Sequence, residues 1–108
     1  MDFKDDGILT IDKIKKKKIK GYKFQYKPLR RYLIVHPDLE SPDNTVLSDF
    51  STGYRLFKLQ IKPDKATLEQ IKDKLEKYIN HFSIEGIQEE IKTLQEKEAL
   101  ASQRKNLK

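Results

Sequence analysis

The spacing of apolar residues changes period once along this chain, at Lys62-Pro63-Asp64. Before that point apolar residues recur at every second position or in short continuous runs. After it they recur at spacings of three and four. Side chains alternate between faces along a strand, and return to one face about every 3.6 residues along a helix. The change therefore divides the chain into a strand-forming part and a helical part. Strands followed by helices, rather than alternating with them, predict an α+β domain with a helical layer on one face of the sheet.

Within the first part, Gly21 to Lys27 alternates cleanly. Tyr22, Phe24 and Tyr26 point one way, and Lys23, Gln25 and Lys27 the other, the pattern of a half-buried strand. Pro28 interrupts it. Tyr32 to His36 is a continuous apolar run suited to a strand covered on both sides, and Pro37 ends it. Residues 38–44 read as a loop. Thr45 to Phe50 and Tyr54 to Ile61 read as a hairpin joined at Ser51-Thr52-Gly53, where Gly53 supplies a positive φ.

The helical part opens with Asp64 as a cap, or alternatively with Thr67 and Gln70 as a capping box. Leu68, Ile71, Leu75, Tyr78, Ile79 and Phe82 form one apolar stripe. Ser83 restarts the pattern, and Ile84, Ile87, Ile91 and Leu94 form a second. The register breaks between Phe82 and Ile87, which predicts two helices rather than one rod. The expected architecture is a small antiparallel sheet of three or four strands followed by two C-terminal amphipathic helices packed on one face.

The ends are less regular. From Ile8 to Lys20, Thr10 could cap a helix that Gly21 stops, but the apolar residues make a poor stripe and four consecutive lysines repel one another. Residues 1–20 are expected to be a flexible or short-helical basic arm, and residues 102–108 a loose tail. The 108 residues suit a single small domain. Charged residues (37%) outnumber hydrophobic ones (36%), which implies a thin core under a heavily charged surface. With no cysteine, there is no disulfide framework and no thiolate metal site. No signal-peptide run or membrane-length apolar stretch occurs, so a cytoplasmic protein is expected.

Charge supplies the one feature that points to a partner. Lys13 to Arg31 holds ten Lys or Arg and no acid, while the whole chain carries only +6. Concentrating +10 in nineteen residues is costly through self-repulsion. Lysines that neutralise phosphates release counterions, and aromatics on a sheet face can stack bases. The candidate site is therefore Lys15, Lys16, Lys17, Lys18, Lys20, Tyr22, Lys23, Tyr26, Lys27, Arg30 and Arg31, facing nucleic acid or an acidic protein surface. A plainer reading makes Tyr22, Phe24 and Tyr26 the core face of the strand. Arg30 and Arg31 can grip phosphate with two parallel bonds, or pair internally with Asp38, Glu40 or Asp43.

Other chemistry is poorly represented. No nucleotide-binding glycine loop, nucleophile elbow or cysteine nucleophile occurs. His36 and His81 lack the further ligands that a metal needs; His36 is expected to end a strand and His81 to sit half-exposed at a helix end. No enzyme activity and no cofactor are expected. The first functional reading is a non-enzymatic nucleic-acid-binding module. The second is a protein-binding inhibitor or adaptor of phage or mobile-element type, for example one that blocks a nucleic-acid-binding host defence protein. The third is an assembly component that forms a homodimer through the helices.

Overall fold

The computed structural model describes the backbone of residues 2–11 and 15–106, and the side chains of residues 2–10, 15–93, 95 and 96. Strands β1 (Asp5–Ile11), β2 (Lys15–Tyr26), β3 (Arg31–Pro37), β4 (Thr45–Asp49) and β5 (Arg55–Leu59) come first, followed by helices α1 (Leu68–Phe82) and α2 (Ile84–Asn106). The strands form one antiparallel sheet in the order β1-β2-β3-β4-β5. The fold is α+β, with five strands rather than three or four among the described residues.

The additional strand comes from the N-terminal stretch, where a flexible or short-helical arm was expected. Residues 5–11 and 15–26 are strands. Thr10 and Gly21 do not bound a helix: Thr10 lies in β1 and Gly21 in the middle of β2. Lys13 and Ile14 lie outside the described residues. The C-terminal tail also differs from expectation, because α2 continues to Asn106. The last two residues, and the side chain of Leu94, lie outside the description.

β2 serves two partners in succession. Its first half, to Gly21, pairs with β1, and Tyr22 to Tyr26 pair with β3. β1 in turn reaches the turn after β4, where the Thr10 N–H donates to the Gly53 carbonyl (3.2 Å) and the Thr10 hydroxyl to the Thr52 carbonyl. A strand at one edge can touch that turn only if the β1–β2 hairpin folds across β3 and β4. The first four strands thus wrap into a partial barrel. Gly53 has φ +75°, and its Cα lies against the β1 backbone at Ile8 to Thr10, so glycine meets both a conformational and a steric requirement there.

The wrap gives the sheet two buried sides. Inside it, Leu9, Ile34 and Val46 are buried together with His36 and Ser48. On the other side, Leu33, Val35, Leu47, Phe57 and Leu59 meet Ile71 and Leu75 of α1 and Ile87 and Ile91 of α2. Ile34 and Val35 are both fully buried, as expected of a strand covered on both faces. Thr67, not Asp64, caps α1, through the reciprocal bonds of a capping box with Gln70. Ser83 separates the helices. At φ 63° it turns the chain, its N–H closes α1 on Ile79, and its hydroxyl accepts the Gly86 N–H (3.1 Å). No helix among the described residues is long and apolar enough to cross a membrane.

Candidate functional site

The lysine tract lies on a strand, and a strand deals its side chains to alternate faces. In the register with β1, Lys18 stands opposite Ile8 and Lys16 opposite Thr10, while Lys17 stands opposite Leu9. Leu9 is buried inside the wrap, so Lys16, Lys18 and Lys20 occupy the outer face of the hairpin, and Lys15 and Lys17 the other. All five are exposed. The tract cannot present its whole charge to one flat surface. Lys20 also forms an ion pair with Asp6.

Lys16 and Lys18 line a groove of about 550 Å³ with Asp6, Gly7, Ile8, Phe50, Ser51 and Thr52. The Thr10–Gly53 bond creates this groove, because it draws the turn after β4 alongside β1. A second groove of about 380 Å³ is lined by Leu29, Arg30, Arg31, Tyr32, Phe50, Ser51 and Gln88. Phe50 and Ser51 line both. Basic side chains and aromatic rings therefore follow one another from Lys16 and Lys18, across Phe50, to Tyr32 and Arg30.

The middle of this track is firmly held. The Lys23 ammonium lies 4.0 Å from the Phe50 ring centroid and 4.7 Å from that of Tyr32. Both separations are within cation–π range. The Lys23 N–H donates to the Asp5 carboxylate (2.8 Å), and the Phe50 N–H to the Tyr32 carbonyl (3.0 Å). Tyr32 is nevertheless 49% exposed. Sequence reading missed Tyr32 and Phe50 as site residues, because Tyr32 was absorbed into the YLIVH run and Phe50 into a strand. The one available signal was parity. Tyr32 pairs with the polar Gln25, and so falls on the face opposite Tyr22 and Tyr26.

The remaining expected residues divide. Tyr22 and Tyr26 are half-buried and packed against the helical core, with the Tyr22 and Phe24 rings 6.3 Å apart. Burial, and then the charge of Glu76, raises the Tyr26 hydroxyl above its usual pKa. Lys27 and Arg30 are exposed on the short turn between β2 and β3. Arg31 pairs with neither Asp38, Glu40 nor Asp43. Its Nε donates to Asp49 Oδ1 at 2.9 Å, and the Asp49 side chain is fully buried. Strand register explains the correction, since Leu33 stands opposite Asp49 and Arg31 lies two residues beyond on the same face.

His36 lies inside β3 and is buried. Its Nδ1 lies 2.9 Å from the Pro37 carbonyl and its Nε2 2.8 Å from Ser48 Oγ. A carbonyl can only accept, so Nδ1 carries the proton and the Ser48 hydroxyl donates to Nε2. Burial lowers the His36 pKa and Arg55 adds to that, against the opposing effects of the Pro37 carbonyl and Asp38. A hydroxyl bonded to an imidazole resembles half of a hydrolytic site. Ser48 is buried, and with His36 it lines the floor of a further groove of about 480 Å³ beside Asp38, Glu40, Tyr54 and Arg55. The pair satisfies two polar groups inside the wrap. His81 is exposed near the end of α1, edge-on to Phe82 at 4.6 Å. Among the described residues, no cluster of His, Cys, Asp or Glu could hold a metal. No protein-family model matches the chain, and no characterised protein or solved structure is similar enough to match it.

Proposed function

We propose that the protein is a non-enzymatic binding module that engages nucleic acid along the track carrying Lys16, Lys18, Lys23 and Arg30, with Lys20 held by Asp6 beside it. The observation that supports this reading is the continuity of the two grooves at Phe50 and Ser51, which joins cations from β1–β2 to cations and a ring from the β2–β3 region. Phosphate contacts of this kind position a strand without reading its sequence. Lys15 and Lys17 line neither groove and fall outside the contact surface.

Salt dependence tests it. Four contacting cations imply a log–log slope of affinity against salt of about −2.8 on a single strand and about −3.6 on a duplex. Fluorescence anisotropy with labelled oligonucleotides would measure that slope. Lys16→Ser with Lys18→Ser should roughly halve it. Lys15→Ser with Lys17→Ser removes the same charge from the same strand and should leave it nearly unchanged. Affinity that is flat with salt would overturn the reading, and would move an acidic protein surface, of the sort an inhibitor or adaptor docks on, to first place. Equal losses from both pairs would refute the assignment to the groove lined by Lys16 and Lys18.

A further inference from the structure

We infer that the ligand of this face is a single strand of nucleic acid, and that Tyr32 is the platform on which one of its bases stacks. The inference rests on the nucleic-acid reading above and narrows it. Three observations carry it. First, Tyr32 is half exposed, though it sits on a strand whose next three residues are fully buried. A large ring left open among cations is a surface that a base can cover. Second, the cations flank it: Arg30 lies two residues before it on an exposed turn, and the Lys23 ammonium lies 4.7 Å from its centroid. Phosphates on either side of a stacked base would find a positive charge at hand. Third, strands and a turn make up most of this track, and α2 meets it at Gln88, whose amide is held on the Leu29 carbonyl (3.2 Å). A helix packed in this way is not free to enter a major groove.

These features favour a single strand for a physical reason. A duplex keeps the faces of its bases stacked inside and offers a flat surface mainly phosphate and sugar, so Tyr32 would gain nothing from it. An unpaired strand exposes base faces, and stacking on an aromatic ring is sequence-tolerant because every base has one. The contiguous grooves through Phe50 provide the path along which the strand continues, towards Lys18 and Lys16. Lys23 between Tyr32 and Phe50 holds both rings in place before any ligand arrives, which limits the ordering cost on binding.

The test compares labelled single-stranded DNA, single-stranded RNA and a duplex of equal length, by anisotropy at fixed low salt. The proteins compared are the wild type, Tyr32→Ala and Tyr32→Phe. The ring lies outside the core, and a melting curve for each variant confirms folding. At least one single strand should bind tighter than the duplex. Tyr32→Ala should weaken single-strand binding by about 5- to 150-fold, the range of one stacked base, while the salt slope stays constant because no charge changes. Tyr32→Phe keeps the ring and should retain most of the affinity. Comparing RNA with DNA shows whether the 2′-hydroxyl contributes. Salt-steep binding that is indifferent to Tyr32→Ala, or equal for duplex and single strand, would overturn this inference and leave the broader reading standing. No salt-dependent binding to any of the three would overturn both.

Discussion

Asp49 is where the fold is most exposed to a single substitution. Its side chain is fully buried and accepts three hydrogen bonds: from Arg31 Nε (2.9 Å), from the Thr52 N–H (2.9 Å) and from the Thr52 hydroxyl (2.7 Å). The first ties β4 to β3. The other two fix the turn that closes on β1 and carries Phe50 and Ser51. Asp49→Ala removes all three acceptors at once. It leaves the Arg31 guanidinium, only about a fifth exposed, without its counter-charge, and it orphans the buried Thr52 N–H. Removing one partner of such a pair costs about 3–5 kcal/mol. A small domain has about 5–15 kcal/mol in total. Taking about 4 kcal/mol, melting should fall by about 15–30 °C. Asp49→Asn keeps the shape and one accepting oxygen, and should cost about 1–3 kcal/mol. Urea unfolding followed by circular dichroism at neutral pH would measure both. Pairing Asp49→Ala with Arg31→Ala separates the ion pair from the turn, since the double variant should lose less than the sum of the singles. A loss below about 1 kcal/mol for Asp49→Ala, or strict additivity with Arg31→Ala, would refute the reasoning.

Three further outcomes follow from the packing. A Cβ at Gly21 would collide with the Val35 carbonyl oxygen and lie 2.6 Å from Ile34 Cγ1, whereas one at Gly7 meets mainly the flexible tip of Ile34, at 2.6 Å. Gly21→Ala should therefore cost about 1–3 kcal/mol and Gly7→Ala clearly less; equal midpoint shifts in urea would contradict this order. Burial holds the His36 pKa below its ordinary 6.5, so the folded protein resists a proton that the unfolded chain accepts. Stability should be fully present above pH 6.5 and fall as the pH drops from there through the lowered folded value. Melting curves from pH 7.5 to 5 should show this loss and His36→Gln should lessen it; an equal loss in the variant would assign it to other groups. Thr67→Ala removes the acceptor of the Gln70 N–H and should cost about 1 kcal/mol. Asp64→Ala should leave the denaturation midpoint unchanged, and a larger effect there than at Thr67 would reverse the assignment of the cap.

What could be read in the sequence follows the side chains that do the burying. The helices, the break at Ser83 and the hairpin at Gly53 were legible because each is signalled within a few residues. The stripe through Ile71 and Leu75, the hydroxyl of Ser83 and the positive φ of Gly53 are all local features. The β1–β2 hairpin was illegible because its inward positions carry the wrong signal. Gly7 and Gly21 face Ile34, which leaves no room for a Cβ, so the alternation that marks a strand has glycine where an apolar residue would be sought. Among the described side chains of the hairpin, Leu9 and in part Ile19 fill inward places with apolar bulk. The same absence made the lysines look like one run, when pairing with β1 sorts them onto two faces. The candidate site was half visible for the same reason. Its charge is a property of composition and can be counted. Its rings are not local to the lysines: Lys23 meets Tyr32 through the β2–β3 register, and Phe50 only because Asp49 and Thr52 shape the turn that follows β4. The buried acid that set the fold's largest predicted loss is thus also what brings the two grooves together. Asp49→Asn, if it still folds, should loosen the Phe50 turn and weaken single-strand binding while leaving the surface charge of the track intact.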